Sequence, residues 1–325
     1  MRVAVLGAGA WGTAISCVLA PRLEVALWAR DPAQAAQIGA TRRNERYLPG
    51  FELPSTVRVT ADLRAAIASA ELLLAATPVA GLRSLLAQLQ GSTPLVWLCK
   101  GFEAESGQLP HQIAGATLGE RARVGALSGP SFAEEVARGL PCALTLAARD
   151  GVFAKEAAAT LHGGRMRVYY STDLVGVEIG GAIKNVMAIA AGISDGMGLG
   201  MNARAALITR GLAEIARLGA ALGGQPETFM GLAGAGDLIL TATGDLSRNR
   251  RVGLELARGR SLAEIVSTLG HVAEGVYSAK EAARLATAHH VEMPVTEAVS
   301  AVLDGRLTAS AALERLLARD PKMER

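Results

Sequence analysis

Apolar and polar positions follow two different patterns along this chain. Up to about residue 171, short runs rich in Val, Leu and Ala alternate with segments whose apolar residues recur at helical spacing. Strands that alternate with helices in this way predict a mostly parallel, doubly wound sheet. The runs predicted as strands are residues 3–6, 24–28, 56–59, 71–75, 94–98, 123–127, 142–146 and 166–170. Residues 41–54, with Tyr47 and two prolines, are predicted as an irregular segment.

From about residue 172 the pattern is helical and contains no convincing strand. The sequence therefore predicts an α/β, Rossmann-like domain over residues 1–171 and an all-α second domain over residues 172–325. No Pro/Gly/Ser-rich linker separates them, so we expect a helix to run out of the first domain. The predicted helices are residues 174–192, 203–222, 246–258, 262–269, 279–290, 294–303 and 309–317.

Directly after the first predicted strand comes the glycine-rich segment GAGAWG, residues 7–12. Gly7 would allow a tight turn, Gly9 leaves no Cβ to block a pyrophosphate, and Gly12 lets the next helix pack close to the strand. The free N–H groups of that helix would face the phosphates. Strand before and helix after is the context that the dinucleotide-binding fingerprint requires. A glycine-rich turn without a ligand is the alternative.

The end of the second predicted strand bears on cofactor preference. An acidic side chain here would bind the ribose 2′-OH of NAD, whereas an arginine would accommodate the 2′-phosphate of NADP. The chain has Arg30 followed by Asp31, which favours NADP with tolerance for NAD. Alternatively both are solvated charges at a helix start, where Asp31 and Pro32 suit the N-cap and first helical positions.

Several polar residues follow the predicted strands directly. Ligands of such sheets bind beyond the carboxyl ends of the strands, so Gly7, Arg30, Thr77, Lys100 and Ser128 are expected to share one crevice. Lys100 follows a buried strand and precedes a glycine, which favours a functional role over that of a solvated lysine.

Two further segments contain candidate polar groups. Ser131, with Glu134 three residues later, is typical of a capping box, and the same helix start could instead line a phosphate or carbonyl site. Lys184 lies in the apolar helix VEIGGAIKNV, residues 177–186. Desolvation would make this lysine a usable proton donor or acceptor, and a snorkelling lysine is the alternative. The two glycines within the helix indicate that something approaches it closely.

Two motifs follow in the second half. The segment GLAGAG, residues 231–236, has no strand before it, so we interpret it as a tight turn between helices, with Asp237 able to point at a nearby lysine. The segment SRNRR, residues 247–251, is either a solvated basic face or a phosphate clamp, because an Arg fork beside a serine cap suits a phosphate. The five histidines show no metal-ligand spacing, and no metal is expected.

Composition narrows the class of protein. Half of the 325 residues are hydrophobic, 19% are charged and the net charge is only +3, which predicts a globular protein. With 4% aromatic residues, nothing favours nucleic-acid binding. Cys17, Cys99 and Cys142 lie far apart, which indicates reduced thiols. We expect no signal peptide, no membrane span and a cytoplasmic location.

The motifs taken in order resemble one family over nearly the whole chain: bacterial-type NAD(P)-dependent sn-glycerol-3-phosphate dehydrogenase. The resemblance is carried by GAGAWG at 7–12, CKG at 99–101, SGPSFAEE at 128–135, VEIGGAIKN at 177–185, LITRGL at 207–212, GLAGAGDL at 231–238, SRNRR at 247–251 and VAEG at 272–275.

This resemblance implies reversible hydride transfer between dihydroxyacetone phosphate and sn-glycerol 3-phosphate, with NADP or NAD as cofactor, for phospholipid synthesis. It implies that Lys184 is the proton donor and acceptor. The implied substrate-binding residues are Lys100, Gly129, Ser131, Lys184, Asp237, Ser247, Arg248 and Asn249. The implied cofactor-binding residues are Gly7, Gly9, Ala10, Trp11, Gly12, Arg30, Tyr47, Lys100, Ala133, Arg248, Val272 and Glu274. Relatives often carry a hydroxyl at position 10, so Ala10 removes one hydrogen bond to the cofactor.

Two alternatives remain at this point. A two-domain dehydrogenase of the 3-hydroxyacid type would have the same order of elements, but a substrate without phosphate would not need the Arg248 cluster. A regulator that senses nucleotides without chemistry would not need a buried Lys184. An apolar helical second domain is also compatible with a homodimer.

Overall fold

The apolar run before the glycine-rich segment forms the strand β1, which lies inside an eight-stranded sheet. The structure is a computed structural model that describes residues 1–89, 91–104, 106–269, 273–320 and 323. The strands are β1 (Arg2–Leu6), β2 (Glu24–Trp28), β3 (Arg43–Asn44), β4 (Leu48–Glu52), β5 (Arg58–Thr60), β6 (Leu72–Ala75), β7 (Leu95–Trp97), β8 (Val124–Ser128), β9 (Cys142–Ala147) and β10 (Met166–Ser171).

The sheet has the strand order β10-β9-β8-β7-β6-β1-β2-β5. All neighbours pair in parallel except β8 and β9. The carboxyl ends of β8, β7, β6, β1 and β2 therefore lie at one edge, which is where the predicted crevice residues follow their strands. The parallel strands are apolar on both faces because helices cover both sides of such a sheet.

The helices of this part begin at predictable signals. Asp31 caps the second helix by accepting the N–H of Ala33 at 2.9 Å, and Pro32 occupies the first helical position. Trp97 and the leucines of the sheet are fully buried in the core. The helices are α1 (Ala10–Leu19), α2 (Pro32–Thr41), α3 (Leu63–Ile67), α4 (Val79–Leu86), α5 (Pro110–Leu118), α6 (Ala133–Ala137) and α7 (Gly151–Leu161).

The prediction of an irregular segment over residues 41–54 is wrong in part, since β3 and β4 form a small antiparallel sheet there. Arg42 ends α2 in the left-handed conformation, with φ of 55°. Its guanidinium donates to the carbonyl oxygen of Val57 at 2.9 Å. This reversal depends on tertiary contacts of an arginine, which gives no turn signal in the sequence.

The second half of the chain is helical, as predicted. The described chain divides into two units, Met1–Glu178 and Ile179–Arg325, and the division falls within α8. The helices are α8 (Leu174–Gly196), α9 (Gly200–Ala221), α10 (Pro226–Met230), α11 (Asp237–Thr243), α12 (Arg248–Ala257), α13 (Leu262–Leu269), α14 (Glu274–Ala288), α15 (Pro294–Leu303) and α16 (Ala309–Leu317).

The long helix α8 is the core of the helical unit. By length and composition it could cross a membrane, but 94% of its apolar window is buried inside the protein, as in the core helix of a globular protein. A Cβ on Gly192 would lie 2.0 Å from the carbonyl oxygen of Arg250, and one on Gly253 would lie 2.1 Å from that of Ile189. Helices α8 and α12 therefore touch through their backbones.

Candidate active site

The glycine-rich segment forms a turn in which each fingerprint glycine has a different surrounding. Gly7 has φ of 129°, and a Cβ there would lie 2.8 Å from the carbonyl oxygen of Ala76. A Cβ on Gly12 would lie 1.9 Å from the carbonyl oxygen of Gly7. Around Gly9, by contrast, a Cβ would meet nothing among the described residues within 4 Å. Gly9 is also the N-cap of α1 and offers no side chain. The turn therefore fits a pyrophosphate on the helix N-terminus.

Two side chains from outside the fingerprint brace this turn. The carbonyl oxygen of Ala8 accepts hydrogen bonds from Gln34 Nε2 at 2.8 Å and from Asn44 Nδ2 at 3.0 Å. Asn44 Nδ2 also donates to Thr13 Oγ1 at 2.8 Å. Asn44 is buried in β3, and sequence analysis missed it because it lies in the segment predicted as irregular.

Three of the predicted cofactor residues lie around one small apolar cluster. Ala10 and Trp11 in the first turn of α1, and Ala133 at the start of α6, all pack against the buried cluster of Ala14, Leu48 and Val136. Helix α6 packs against α1, so all three positions lie at or near the N-terminal half of α1.

Two further cofactor candidates, Arg30 and Tyr47, are at least partly exposed to solvent. Arg30 is exposed directly after β2. Tyr47 is half-buried before β4, and the guanidinium carbon of Arg46 lies 5.1 Å from the centre of its ring.

Lys100, Gly129 and Ser131 lie together at the carboxyl edge of the sheet. Lys100 Nζ donates to the carbonyl oxygen of Gly129 at 3.2 Å, and Ser131 Oγ donates to the same oxygen at 3.1 Å. Gly129 has φ of 136°, which favours glycine there. The N-cap of α6 is Phe132, so Ser131 precedes the cap and the capping-box alternative is wrong.

A buried carboxylate that sequence analysis did not single out lies in the same unit. Glu178 accepts the backbone N–H of His111 at 2.9 Å, and its other oxygen contacts His111 Nδ1. Burial raises the pKa of Glu178, and the contacts with His111 lower it in part. The indole N–H of Trp97 makes no hydrogen bond of normal geometry among the described residues, but it lies close enough to Glu178 to lower the pKa further.

In the helical unit, the ammonium of Lys184 contacts a carboxylate and does not extend into solvent. Lys184 Nζ donates to Asp237 Oδ1 at 2.6 Å and to Thr241 Oγ1 at 2.9 Å. Lys184 is 7% exposed and Asp237 is 1% exposed, so the snorkelling alternative is wrong. A charge pair this deeply buried interacts more strongly than one in water. Thr241, missed in the sequence, lies one helical turn after Asp237 and donates to its carbonyl oxygen at 2.6 Å.

The local backbone explains how Asp237 reaches Lys184. Residues Leu232–Gly236 lie between α10 and α11, as predicted, but they form a π-helical turn that continues directly into α11 and not a tight turn. A Cβ on Gly180 would lie 2.6 Å from the carbonyl oxygen of Ala233. The missing side chain on α8 therefore lets the π-helical turn pack against this helix.

A chain of amide contacts adjoins Lys184. Asn249 Nδ2 donates to Asn185 Oδ1 at 2.9 Å, and the N–H of Gly275 donates to Asn249 Oδ1 at 3.0 Å. Asn185 Nδ2 in turn lies 3.5 Å from Glu274 Oε2. The structure thus links the predicted residues Asn249 and Glu274 through Asn185, which sequence analysis missed. The predicted Val272 lies outside the described residues.

The predicted phosphate clamp lies at the start of α12. Ser247 caps the helix by accepting the N–H of Arg250 at 3.2 Å. The guanidinium of Arg250 forms salt bridges with Asp195 at 2.7 Å and with Asp245 at 2.8 Å. Arg248, the first residue of the helix, is exposed. A helix N-terminus beside an arginine fits an anion such as a phosphate.

The thiols and the possible metal ligands of the described residues bear on whether the chain contains a further site. Burial raises the pKa of the Cys17 thiol to about 11 and also raises that of Cys142. Among the described residues, no group of three or more His, Cys, Asp or Glu side chains could hold a metal ion.

Comparison with known proteins identifies the family. The model of the NAD-dependent glycerol-3-phosphate dehydrogenase N-terminus matches residues 2–154, and the model of the C-terminus matches residues 173–314. The chain belongs to the NAD-dependent glycerol-3-phosphate dehydrogenase family. This confirms the resemblance predicted from the motifs.

Relatives match over their full length. The chain is 60% identical to glycerol-3-phosphate dehydrogenase [NAD(P)+] of Dechloromonas aromatica, covering 100% of this chain and 99% of the relative. It is 61% identical to the protein of the same name from Methylibium petroleiphilum, covering 100% and 98%. A crystal structure of glycerol-3-phosphate dehydrogenase from Coxiella burnetii is 41% identical with a TM-score of 0.92, covering 98% of this chain and 99% of that one.

These comparisons confirm the fold class, the enzyme class and the dependence on NAD or NADP. They support neither the 3-hydroxyacid type nor the non-catalytic regulator. A ketopantoate reductase from Ralstonia eutropha, at 19% identity and a TM-score of 0.58, shares the fold alone.

Proposed function

We propose that this chain catalyses reversible hydride transfer between NAD(P)H and dihydroxyacetone phosphate, giving sn-glycerol 3-phosphate for phospholipid synthesis in the cytoplasm. The observation that carries the proposal is the buried ammonium of Lys184, which contacts Asp237 and Thr241 in a chain of this family. Residues 1–171 would bind the cofactor, and residues 172–325 would supply substrate binding and catalysis.

Ketone reduction places negative charge on the carbonyl oxygen and then requires a proton there. A cation aimed at that oxygen stabilises the transition state and supplies the proton. Lys184 performs both tasks in this proposal and takes the proton back in the reverse direction. Asp237 and Thr241 hold the ammonium in one orientation, so that little rearrangement is needed during the reaction.

The bound nicotinamide cofactor supplies or accepts the hydride. Gly7, Gly9 and Gly12 form its phosphate turn, and Ala10, Trp11, Tyr47 and Ala133 would line its site. Arg30 would meet the 2′-phosphate, which favours NADPH while NADH is still accepted. The remaining cofactor contacts in this proposal are Lys100, Arg248, Val272 and Glu274.

The substrate would be held mainly through its phosphate. Ser247, Arg248 and Asn249 at the start of α12 offer a helix N-terminus and an exposed guanidinium for this group. Lys100, Gly129 and Ser131 would contact the substrate from the sheet edge, with Lys100 polarising the carbonyl group. Binding energy from the remote phosphate would then orient the reacting carbon. A homodimer is part of this proposal but rests on the apolar composition of the helical domain alone.

Purified protein given dihydroxyacetone phosphate and NADPH tests the proposal through the loss of NADPH absorbance. We expect rapid oxidation of NADPH, slower oxidation of NADH, and little reaction with dihydroxyacetone, which lacks the phosphate. A 2-oxo acid of similar size serves as the second control substrate. Absence of oxidation with either cofactor would contradict the proposed function.

A further inference from the structure

The buried Glu178 connects two points of one segment of the first unit. Its carboxylate accepts the N–H of His111 in the first turn of α5 and contacts the imidazole of the same residue. It also lies beside the indole of Trp97, the last residue of β7. Among the described residues, Trp97 and His111, which lie on either side of Lys100 in the chain, are thus both next to this carboxylate.

Lys100 lies inside this segment. Its outer half is braced separately, because Arg83 on α4 bonds Glu103 at 2.6 Å and Gln108 at 2.6 Å. Lys100 Nζ then reaches the carbonyl oxygen of Gly129 at 3.2 Å. Lys100 and Glu178 also line one small cavity at the end of β7. The chain that follows Lys100 is thus held at Glu103, Gln108 and His111, while the ammonium itself contacts Gly129.

A buried carboxylate is a costly way to stabilise a fold. Removing a carboxylate from water is unfavourable, and apolar residues of similar volume often stabilise a core as well or better. A charged hydrogen-bond acceptor does, however, fix directions that an apolar contact leaves loose. The arrangement around Glu178 therefore points to a geometric role.

We propose that Glu178 is a positioning residue for the reaction: by holding His111 and facing Trp97, it fixes the segment that carries Lys100. This rests on the proposed function, in which Lys100 contacts substrate and cofactor.

The test is a double-mutant cycle with Glu178→Ala and Lys100→Ala, alone and combined. We expect Glu178→Ala to lower kcat/KM for dihydroxyacetone phosphate by about tenfold to a hundredfold, since small displacements near a reacting group cost this much. In the Lys100→Ala background, the same substitution should change kcat/KM by less than about twofold, because coupled residues are not additive. Glu178→Gln should lose less, since its amide oxygen can still accept the N–H of His111.

Glu214 offers a matched control in the helical unit. It is also a buried carboxylate, with a pKa raised by burial, and it accepts the N–H groups of Val295 at 2.7 Å and Thr296 at 3.1 Å. Glu214→Ala should lower Tm about as much as Glu178→Ala but leave kcat/KM within about twofold, because its partners Val295 and Thr296 are not among the residues assigned to the reaction. If lower stability alone caused the loss of activity, kcat/KM would fall in both Glu178→Ala and Glu214→Ala.

Two outcomes would overturn the proposal. The first is that Glu178→Ala lowers kcat/KM by the same factor in the wild-type background and in the Lys100→Ala background. The second is that kcat and KM do not change in Glu178→Ala. If Glu178→Ala does not fold, Glu178→Gln and His111→Ala are used in the same cycle with the same criteria. Normal kinetics in Lys100→Ala alone would instead contradict the role of Lys100 in the proposed function.

Discussion

Lys184 and Lys100 are both assigned to the reaction, yet the protein surrounds them in opposite ways. Lys184 is buried and paired with the carboxylate of Asp237. Lys100 is half-buried, and one of its contacts is the carbonyl oxygen of Gly129. An ammonium removed from water needs a counter-charge, whereas a half-exposed one keeps part of its hydration. Burial therefore explains why Lys184 is paired with the carboxylate of Asp237, whereas the half-buried Lys100 keeps part of its contact with water.

The difference has a consequence for substitution. Removing Lys184 takes away a proton donor and leaves the buried carboxylate of Asp237 without this ammonium. Removing Lys100 takes away a half-buried ammonium at the edge of the sheet. The two lysines should therefore separate in both kinetics and stability.

Lys184→Ala should give the largest effect. We expect kcat to fall by about 100-fold to 10,000-fold, the usual contribution of a general acid, measured as NADPH oxidation at saturating substrate. Lys155→Ala, at an exposed position of α7, is the matched control and should retain normal turnover. Near-normal turnover in Lys184→Ala would remove Lys184 from the mechanism.

Asp237→Leu should destabilise the fold strongly, because Lys184 then remains buried without the carboxylate of Asp237. Breaking one partner of a buried pair costs about 3–5 kcal/mol, which urea unfolding measures as a loss of free energy of unfolding. The double variant Asp237→Leu/Lys184→Met should recover most of this loss while staying inactive. A double variant as unstable as the single one would show that packing, and not the unpaired charge, causes the loss.

Lys100→Ala should reduce kcat/KM for dihydroxyacetone phosphate by about tenfold to a hundredfold, the effect of losing a hydrogen bond from a charged group. Its free energy of unfolding should change by less than about 0.5 kcal/mol, as for other partly exposed positions. The comparison of the two lysines fails if Lys100→Ala destabilises the protein as much as Asp237→Leu does.

Arg30→Ala should have the smallest effect and act on one cofactor only. We expect the KM for NADPH to rise by up to about tenfold, since one charge-assisted hydrogen bond to the 2′-phosphate is lost. The KM for NADH should stay the same, which makes NADH an internal control. Equal changes for both cofactors would place Arg30 away from the 2′-phosphate.

The order of strands and helices could be predicted from the sequence because each element has a clear period. The alternating apolar runs gave the parallel sheet, and Asp31 with Pro32 marked the start of α2. The small sheet of β3 and β4 could not be predicted, since it depends on Arg42 in a left-handed conformation and on contacts distant in sequence.

The residues of the candidate site could be predicted from the sequence only where a motif requires a particular residue type. Lys184 stands out because a lysine is rare in so apolar a helix. Thr241 gave no signal, because it lies one helical turn after Asp237 only if a helix begins at Asp237, as α11 does in the structure. Glu178 and His111 lie 67 positions apart, so only the fold shows that they meet.

The carbonyl oxygen of Ala8 bears on any attempt to transplant the glycine-rich segment. Because Gln34 and Asn44 hold this oxygen from outside the motif, the turn is ordered before a cofactor arrives. Binding then loses little affinity to the ordering of a loop. GAGAWG grafted into another strand–helix junction without these two amides would keep the signature and lose much of the affinity. The useful unit for protein engineering is the motif together with its two braces.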